Sequence, residues 1–440
     1  MLQTVRRAFS IEDIRKKLFY TLLMLVVVRF GSQLPTPGVD PSFIKNFFEN
    51  QTGDAFNFFD AFTGGSFTNF SVFALSITPY ITSSIIIQLL TIAIPKLEEM
   101  QKEGADGRKK LAAITRYTTV GIALIESTAM SIGIGRQGLL VEYNFVNVAI
   151  VVCTLTAGSA FLMWIGERIT EKGVGNGISI VLLVNIISRV PEDLVRLYTQ
   201  FVKGKTVAKG LLAAVIIIAI LLVVVIFVII LQGGERRIAV QYSQKIQGRK
   251  TYGGQSTHIP LKVNTAGVIP VIFASSLMQT PIIIASFLGK GNGTGIGSQI
   301  LRGLNSNNWC DPKNLIYSWG LIVYIVLTIF FAYFYTSITF NPLEIANNMK
   351  KSGGFIPGIR PGKPTTEYLT KILNYIIFIG ACGLVIVQVI PFFFNGVFGA
   401  NVSFGGTSLI IIVGVVLETI KQIESQMLVR NYSGFLNSKR

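Results

Sequence analysis

Side chains that could support acid–base, nucleophilic or metal chemistry are scarce in this 440-residue chain. It has one histidine, His258, and three cysteines that lie far apart, Cys153, Cys310 and Cys382. A lone histidine cannot make a metal site or a triad by itself, and such distant cysteines indicate neither a metal site nor a disulfide framework. The P-loop, G-x-G-x-x-G, H-E-x-x-H and C-x-x-C motifs are also missing. We therefore predict that the protein is not an enzyme and needs no cofactor or metal.

Two glycine-rich stretches, residues 173–177 and 289–297, lack the spacing of a phosphate cradle. The chain as a whole is apolar. Of its residues, 50% are hydrophobic and 14% are charged, whereas a soluble domain has about 25% charged residues. Ten apolar stretches predict an all-α integral membrane protein with ten transmembrane helices. The predicted spans are 18–34, 72–94, 111–134, 145–165, 177–188, 207–231, 266–288, 316–340, 372–394 and 407–428.

The basic charge of the chain orients these helices. With a cytoplasmic N-terminus, the segments and helix ends on the inside carry 28 Lys and Arg, and those on the outside carry 10. Nearly all of the net charge of +17 therefore lies on one face, as the positive-inside rule expects. Residues 189–209 are the exception, because they place five basic residues outside. The basic N-terminus is read as the flank of a retained first helix, because no small-residue cleavage site follows Leu34.

Only two ionisable residues, Arg29 and Glu126, are assigned to the interior of spans. Arg29 lies near a helix end and could reach the interface, and Glu126 is deeper and should face protein or water. An ion-coupled transporter usually needs several such groups as a relay. A secondary transporter for a small solute nevertheless stays an alternative, since paired halves and broken helices also fit that class. A third alternative is an insertase or assembly scaffold without a pore.

Prolines punctuate the second span of each predicted half. Pro79 and Pro270 occupy corresponding helices, with Pro281 beyond, and each removes a backbone donor and loosens the helix. Prolines are common in membrane helices, but a matched pair favours inverted repeats with a site between the halves. We predict an N-terminal half over residues 1–200 and a C-terminal half over residues 201–440.

A phenylalanine-rich segment, residues 56–70, precedes the second span. It holds six Phe, is broken by Gly64 and Gly65, and is too short to cross a bilayer. It is either an interfacial aromatic anchor or a re-entrant segment that blocks a pore. A membrane tolerates a re-entrant segment only where protein or a water-filled cavity surrounds it. Two long cytoplasmic loops, 232–264 and 341–371, combine Gly turns with basic residues and are predicted to be docking loops.

Four stretches, in order along the chain, resemble the SecY family of protein-translocation channels in its bacterial form. They are SITPYITSSIIIQLL at 76–90 (preceded by FTGGS and NFSVFAL), GERITEKGVGNGIS at 166–179, QSTHIPLKVN at 255–264 and GFIPGIRPG at 354–362. The resemblance implies ten helices in two pseudo-symmetric inverted five-helix halves around a central hourglass pore. The implied function is to conduct unfolded secretory polypeptides across the bacterial cytoplasmic membrane and to release transmembrane segments sideways into lipid.

The resemblance also implies roles for individual residues. An aliphatic pore ring would be formed by Ile77, Ile81, Ile178, Leu182, Ile272 and Ile411. A plug of about residues 60–70 would include Asp60, Phe62, Gly64, Gly65, Phe67 and Phe70. A lateral gate between the second and seventh spans, with the third beside them, would be lined by Gln88, Glu126, Ser276 and Thr280. Glu126 stands where the family pattern leads us to expect an uncharged amide.

The implied partners are proteins and lipid rather than a small-molecule substrate. They are the SecE and SecG subunits, the SecA motor ATPase, the ribosome, signal-sequence-bearing polypeptides and membrane lipid. Arg249, Lys250 and Arg360 match basic loop-tip residues that engage SecA and the ribosome. A basic tip suits both partners, because RNA phosphates and acidic protein surfaces are anionic. Energy must come from such a partner, since the chain has no nucleotide site.

Overall fold

The computed structural model describes residues 9–40, 43, 63–135, 138, 140, 142–203, 207–242, 245–247, 250–252, 256–287, 295–305, 308–310, 315–398 and 406–437. These residues are overwhelmingly α-helical, with one small sheet and one short hairpin on the side of the two long loops. The predicted residues Asp60, Phe62 and Arg249 lie outside this description.

Six α-helices lie in the described residues before residue 202. They are α1 (Glu12–Gly31), α2 (Thr78–Ala93), α3 (Pro95–Lys102), α4 (Ala105–Ile134), α5 (Phe145–Lys172) and α6 (Gly177–Phe201). Proline opens α2 and α3, where its missing N–H costs no hydrogen bond. The α2–α3 pair bends by 102° at Ile94.

Seven α-helices follow in the described residues after Phe201. They are α7 (Val207–Gly233), α8 (Ile269–Phe287), α9 (Ile296–Leu304), α10 (Trp319–Thr339), α11 (Pro342–Lys351), α12 (Lys363–Phe398) and α13 (Gly406–Asn437). The strands are β1 (Glu235–Tyr242), β2 (Lys245–Gln247), β3 (Lys250–Tyr252), β4 (Ser256–Lys262) and β5 (Gly354–Phe355).

A helix lies at each of the ten predicted spans. Four helical stretches in the described part of the chain are long and apolar enough by themselves to cross a membrane: Phe145–Lys172, Ala214–Gly233, Leu315–Lys351 and Lys363–Phe393. The bent α2–α3 pair passes the same criterion when it is taken as one span. The count of ten stays a prediction.

The fifth predicted span is too short. Hydropathy ends it at residue 188, but α6 continues to Phe201 with Pro191 inside it. Arg189 and Asp193 are buried on the extension, and Arg189 Nη1 lies 2.8 Å from Glu192 Oε2. Because a buried charge can be accommodated when it has a partner, and the exposed Glu192 pairs with buried Arg189, the helix continues where a hydropathy window stops. Three of the five basic residues that were assigned to the outside are helical: Arg189 and Arg196 lie in α6, and Lys209 lies in the helix Val207–Gly233.

The two long loops form one structure, which the sequence did not predict. Strand β1 is central in an antiparallel sheet of order β4-β1-β5, and Gln241 pairs with Phe355 from the second loop. The buried face of this sheet packs with Leu369, Ile372 and Leu373 of α12 in one apolar cluster. The basic tips of both loops are thus mounted on a common base.

Helix packing joins the two predicted halves. Within the first half, α4 packs against α2 and α5, and α5 packs against α6 and α1. Within the second, α10 packs against α8 and α12, and α13 packs against α7 and α12. Between them, α8 packs against α4, and α6 packs against α13 and α7.

Candidate functional site

All six residues predicted for the pore ring belong to one apolar cluster. Ile77, Leu182 and Ile411 are buried, and the other three are partly buried against them. The six come from the start of α2, the first turns of α6, the start of α8 and the start of α13. Helices of both predicted halves therefore meet at an aliphatic centre, whose side chains offer an ion no ligands and favour dewetting when the passage is narrow.

The start of α2 is set by hydrogen bonds around Ser76. Its φ is +51°, which is uncommon for a residue with a side chain. Asn185 Nδ2 donates to Ser76 Oγ at 3.1 Å, and Ser159 Oγ donates to the Ser76 carbonyl at 3.2 Å. These contacts from α5 and α6 fix the backbone just before Ile77. Ile77 and Ile81, four residues apart, then lie on one face of the helix.

The glycine-rich stretch before α6 is a close helix junction, consistent with its lack of phosphate-cradle spacing. Asn176 caps α6 by accepting from the amides of Ile178 (3.2 Å) and Ser179 (3.5 Å). The Gly177 amide donates to Thr170 Oγ1 at 2.9 Å, and the Val174 amide donates to Thr21 Oγ1 at 3.1 Å. These bonds hold the first turns of α6, which carry Ile178 and Leu182, against α5 and α1.

The described part of the predicted plug is residues 63–70, and turns continue from it to residue 77. Phe67 and Phe70 are 3% and 0% exposed. They pack with residues of α4 and α5, including Ala123, Met130 and Leu155, in a cluster distinct from that of the six ring residues. The two described phenylalanines thus tie this segment to α4 and α5.

Gly64 lies against α6 at Asn185, which is three residues along the chain from Leu182. A Cβ added to Gly64 would be 2.8 Å from the Asn185 Cα and 2.9 Å from its carbonyl oxygen. Arg29 Nη1 donates to the Gly64 carbonyl at 3.1 Å, and Ser188 Oγ lies 3.4 Å from the same oxygen. The segment therefore sits directly beside the aliphatic cluster.

Arg29, Asn185 and Ser188 were not assigned to the site from the sequence. The sequence indicated only that Arg29 could reach the interface, and in the structure its guanidinium donates to the Gly64 carbonyl. A signal for Asn185 was available: residues 178, 182, 185 and 189 recur at helical spacing and share one face of α6. Their order, two aliphatic side chains followed by two polar ones, indicates a face that passes from the ring to a polar surface.

The residues predicted for the lateral gate lie on the expected helices. Helix α4, which carries the partly buried Glu126, packs against both α2 and α8, and Ser83 Oγ donates to the Thr115 carbonyl at 2.9 Å between α2 and α4. Gln88 and Ser276 are partly buried. Thr280 is exposed and donates within its own helix to the Ser276 carbonyl at 2.7 Å. That hydroxyl bond is local, so a role for Thr280 in closing a seam between helices stays a prediction.

The described docking residues lie on the joined loops. Arg360 is exposed on the turn between β5 and α12, where its carbonyl accepts from Thr365 Oγ1 at 2.9 Å. Lys250 pairs with Gln247 in the β2–β3 hairpin.

In the part of the chain that the structure describes, no group of three His, Cys, Asp or Glu side chains could hold a metal ion. Outside the predicted spans, burial raises the pKa of the Cys310 thiol.

The family follows from comparison with known proteins. A family model described as SecY matches residues 71–420, which is well over half of the chain. The chain belongs to the SecY family. Protein translocase subunit SecY of Corynebacterium glutamicum is 42% identical over 458 residues, which cover 99% of this chain and 100% of that protein. The corresponding subunits of Streptomyces galbus and Mycobacterium bovis are 44% and 40% identical, again over 99% of this chain and 100% of each relative.

Solved structures agree with the SecY assignment at the level of fold. One is described as a protein-conducting channel; it covers 94% of this chain and 92% of its own, with a TM-score of 0.61 at 17% identity. A SecY structure described for its plug domain has a TM-score of 0.63 at 18% identity, with the same coverage. Sec61 in a canine ribosome–channel complex has a TM-score of 0.60 at 16% identity, also covering 94% and 92%.

The predicted family and the predicted all-α membrane-channel fold are thus confirmed. The protein is a multi-pass membrane protein of a channel family, and its relatives are translocase subunits rather than enzymes. The roles of individual site residues and the division at residue 200 stay predictions.

Proposed function

We propose that this chain is the central channel subunit of a protein translocase. It conducts unfolded secretory polypeptides through the ring of Ile77, Ile81, Ile178, Leu182, Ile272 and Ile411. The observation that carries this proposal is the meeting of these six side chains, from four helices of both predicted halves, in one aliphatic cluster. An apolar ring can mould around a passing chain of any sequence while excluding ions.

The second exit in this proposal is lateral. Transmembrane segments leave toward lipid between α2 and α8, and α4 lies beside the opening because it packs against both helices. Glu126 on α4 gives this seam a carboxyl group. Gln88, Ser276 and Thr280 provide polar groups on the two flanking helices.

The driving force in this proposal comes from partners on the cytoplasmic side. SecA or the ribosome docks on the sheet that joins the loops, and Arg249, Lys250 and Arg360 engage their anionic surfaces. The support is that β1 and β5 pair across the two loops, so that exposed Arg360 projects from a fixed base. SecE and SecG complete the assembly in the bacterial cytoplasmic membrane, with both termini of this chain in the cytoplasm.

A crosslinking experiment tests the pore. A photoreactive amino acid is placed at Ile81 or Ile411, and a secretory precursor is arrested partway through translocation. Ile230 of α7 is the control position, because its side chain is 65% exposed on the outer surface of the bundle. We expect crosslinks from Ile81 and Ile411 to the arrested precursor and none from Ile230. Equal crosslinking at all three positions, or normal export after depletion of this protein, would refute the proposal.

A further inference from the structure

A charged side chain near the end of α1 is directed toward the protein interior. Arg29 lies in the last turn of α1, within the first predicted span. Ionisable groups at such depth are costly, and where they occur they usually have a specific partner. The partner here is the backbone of the predicted plug, since Arg29 Nη1 donates to the Gly64 carbonyl at 3.1 Å.

The Gly64 carbonyl is presented by a backbone that favours glycine. Gly64 and Gly65 have φ angles of +67° and +85°, a region that residues with a Cβ rarely adopt. The missing Cβ of Gly64 also lets the segment approach the backbone of Asn185. Two features of one residue therefore bring its carbonyl within reach of both Arg29 and Ser188.

The surroundings of this contact are charged. Glu192 acts electrostatically on Arg29 and also accepts a hydrogen bond from Arg189 Nη1 at 2.8 Å. Arg189 is 7% exposed, and its Nη1 would be 3.7 Å from a Cβ added to Gly65. The part of α6 that carries Arg189 and Glu192 thus gives the two glycines a polar contact surface, whereas the neighbouring pore-ring cluster is aliphatic.

The other end of the segment is held differently. The Thr36 amide donates to the Phe70 carbonyl at 3.0 Å, and the Val72 amide donates to the Leu34 carbonyl at 2.9 Å. Phe70 is also fully buried. Paired backbone bonds and an aromatic anchor hold this end, side-chain bonds to its carbonyl hold Gly64, and Phe67 between them packs with α4 and α5. The Gly64 end can therefore separate about the Phe70 end once Phe67 leaves its contacts with α4 and α5.

We propose that Arg29 is a latch: its hydrogen bond to the Gly64 carbonyl holds the front of the plug against α6 and favours the closed channel. The proposal rests on the channel function proposed above and adds a positioning residue that regulates it. A polypeptide entering the ring displaces Gly64 from Asn185, breaks the Arg29 contact and swings the segment about residues 70–72. If Arg29 only stabilised the fold, its removal would reduce protein yield without changing the exposure of the plug.

The test measures exposure of the plug in the membrane-embedded complex. Ser66, which is 2% exposed, is replaced by cysteine in a chain whose three native cysteines are changed to serine. The labelling rate with a membrane-impermeant maleimide, added outside, then reports how often the plug opens. Arg29→Met removes the donor, and Arg29→Lys keeps the charge but loses the planar fork. Arg196→Met is the matched control, because Arg196 is an exposed arginine on the same outer part of α6.

We expect Arg29→Met to label about 10- to 100-fold faster, the factor for losing one hydrogen bond to a charged group. Arg29→Lys should fall between, and Arg196→Met should match the unmodified chain. A faster rate should come with improved export of a precursor whose signal sequence is weakened. Equal labelling rates for Arg29→Met and Arg196→Met would overturn the latch.

If Arg29→Met does not accumulate in the membrane, Arg29→Lys and Ser188→Ala carry the same comparison, and unchanged labelling in both overturns the proposal. Export of an intact precursor by the unmodified chain is measured separately. Failure of that export would refute the proposed function without altering the labelling result.

Discussion

Replacing Gly64 with alanine should open the channel much more than the same change at Gly65. Both residues have positive φ angles, +67° and +85°, so both alanines bear a similar conformational cost of about 1–2 kcal/mol. The two sites differ in the room that is available for a Cβ. The new Cβ at Gly64 would lie 2.8 Å from the Asn185 Cα, whereas at Gly65 its nearest neighbour is Arg189 Nη1 at 3.7 Å.

The difference between the two variants can be estimated from these contacts. At Gly64 the Cβ meets helix backbone, which cannot move aside as a flexible side chain can. If the segment stays in place, overpacking costs about 1–3 kcal/mol. If it withdraws, it loses the Arg29 hydrogen bond, worth about 1.5–3 kcal/mol. Either response destabilises the closed state by about 2 kcal/mol beyond Gly65→Ala, which corresponds to about a 30-fold shift toward the open state.

The assay is the open fraction of the purified complex in a planar bilayer without precursor. Gly64→Ala should show a far higher open fraction than Gly65→Ala, which serves as the matched control for backbone strain. Gly64→Ala combined with Arg29→Met should add little, because both changes remove the same contact. Equal open fractions for the two alanine variants would refute the close approach of Gly64 to α6.

Three further predictions address the ring, the docking loop and a native thiol. Ile411→Ser places a hydroxyl in the buried ring cluster and should raise ion leak and relax signal-sequence stringency, while the exposed Ile230→Ser should do neither; unchanged leak in both would contradict the ring assignment. Arg360→Glu should weaken SecA binding and motor-driven export by about tenfold or more. The free energy of unfolding should change by less than about 0.5 kcal/mol, because Arg360 is exposed. Full SecA binding and full export by this variant would show that Arg360 has no docking role. Burial raises the pKa of the Cys310 thiol, so less reactive thiolate is present at pH 7 than for an ordinary thiol. Maleimide labelling of Cys310 should therefore be slow at pH 7 and accelerate toward pH 9. A labelling rate that does not change with pH would contradict this expectation.

Much of the site could be predicted from the sequence because its parts are local. Ile77 and Ile81 lie on either side of Pro79 in the second predicted span, and Ile178 and Leu182 follow the Gly-Asn-Gly turn. Family motifs placed these residues, and the structure gathers them in one cluster. The end of α6 was predicted wrongly, because a hydropathy window cannot register that Arg189 is buried beside Glu192.

The sequence by itself determined that the chain lies in a membrane, where its helices lie, and that side chains suited to catalysis or metal binding are scarce. Hydrophobicity and proline act within about 20 residues of chain, so these features can be recognised locally. Only the tertiary structure decided that the two loops share one sheet and that Phe67 and Phe70 pack with α4 and α5. It also decided that Arg29, 35 residues away in sequence, reaches the Gly64 carbonyl. Such contacts depend on which helix faces meet, and no local pattern specifies that.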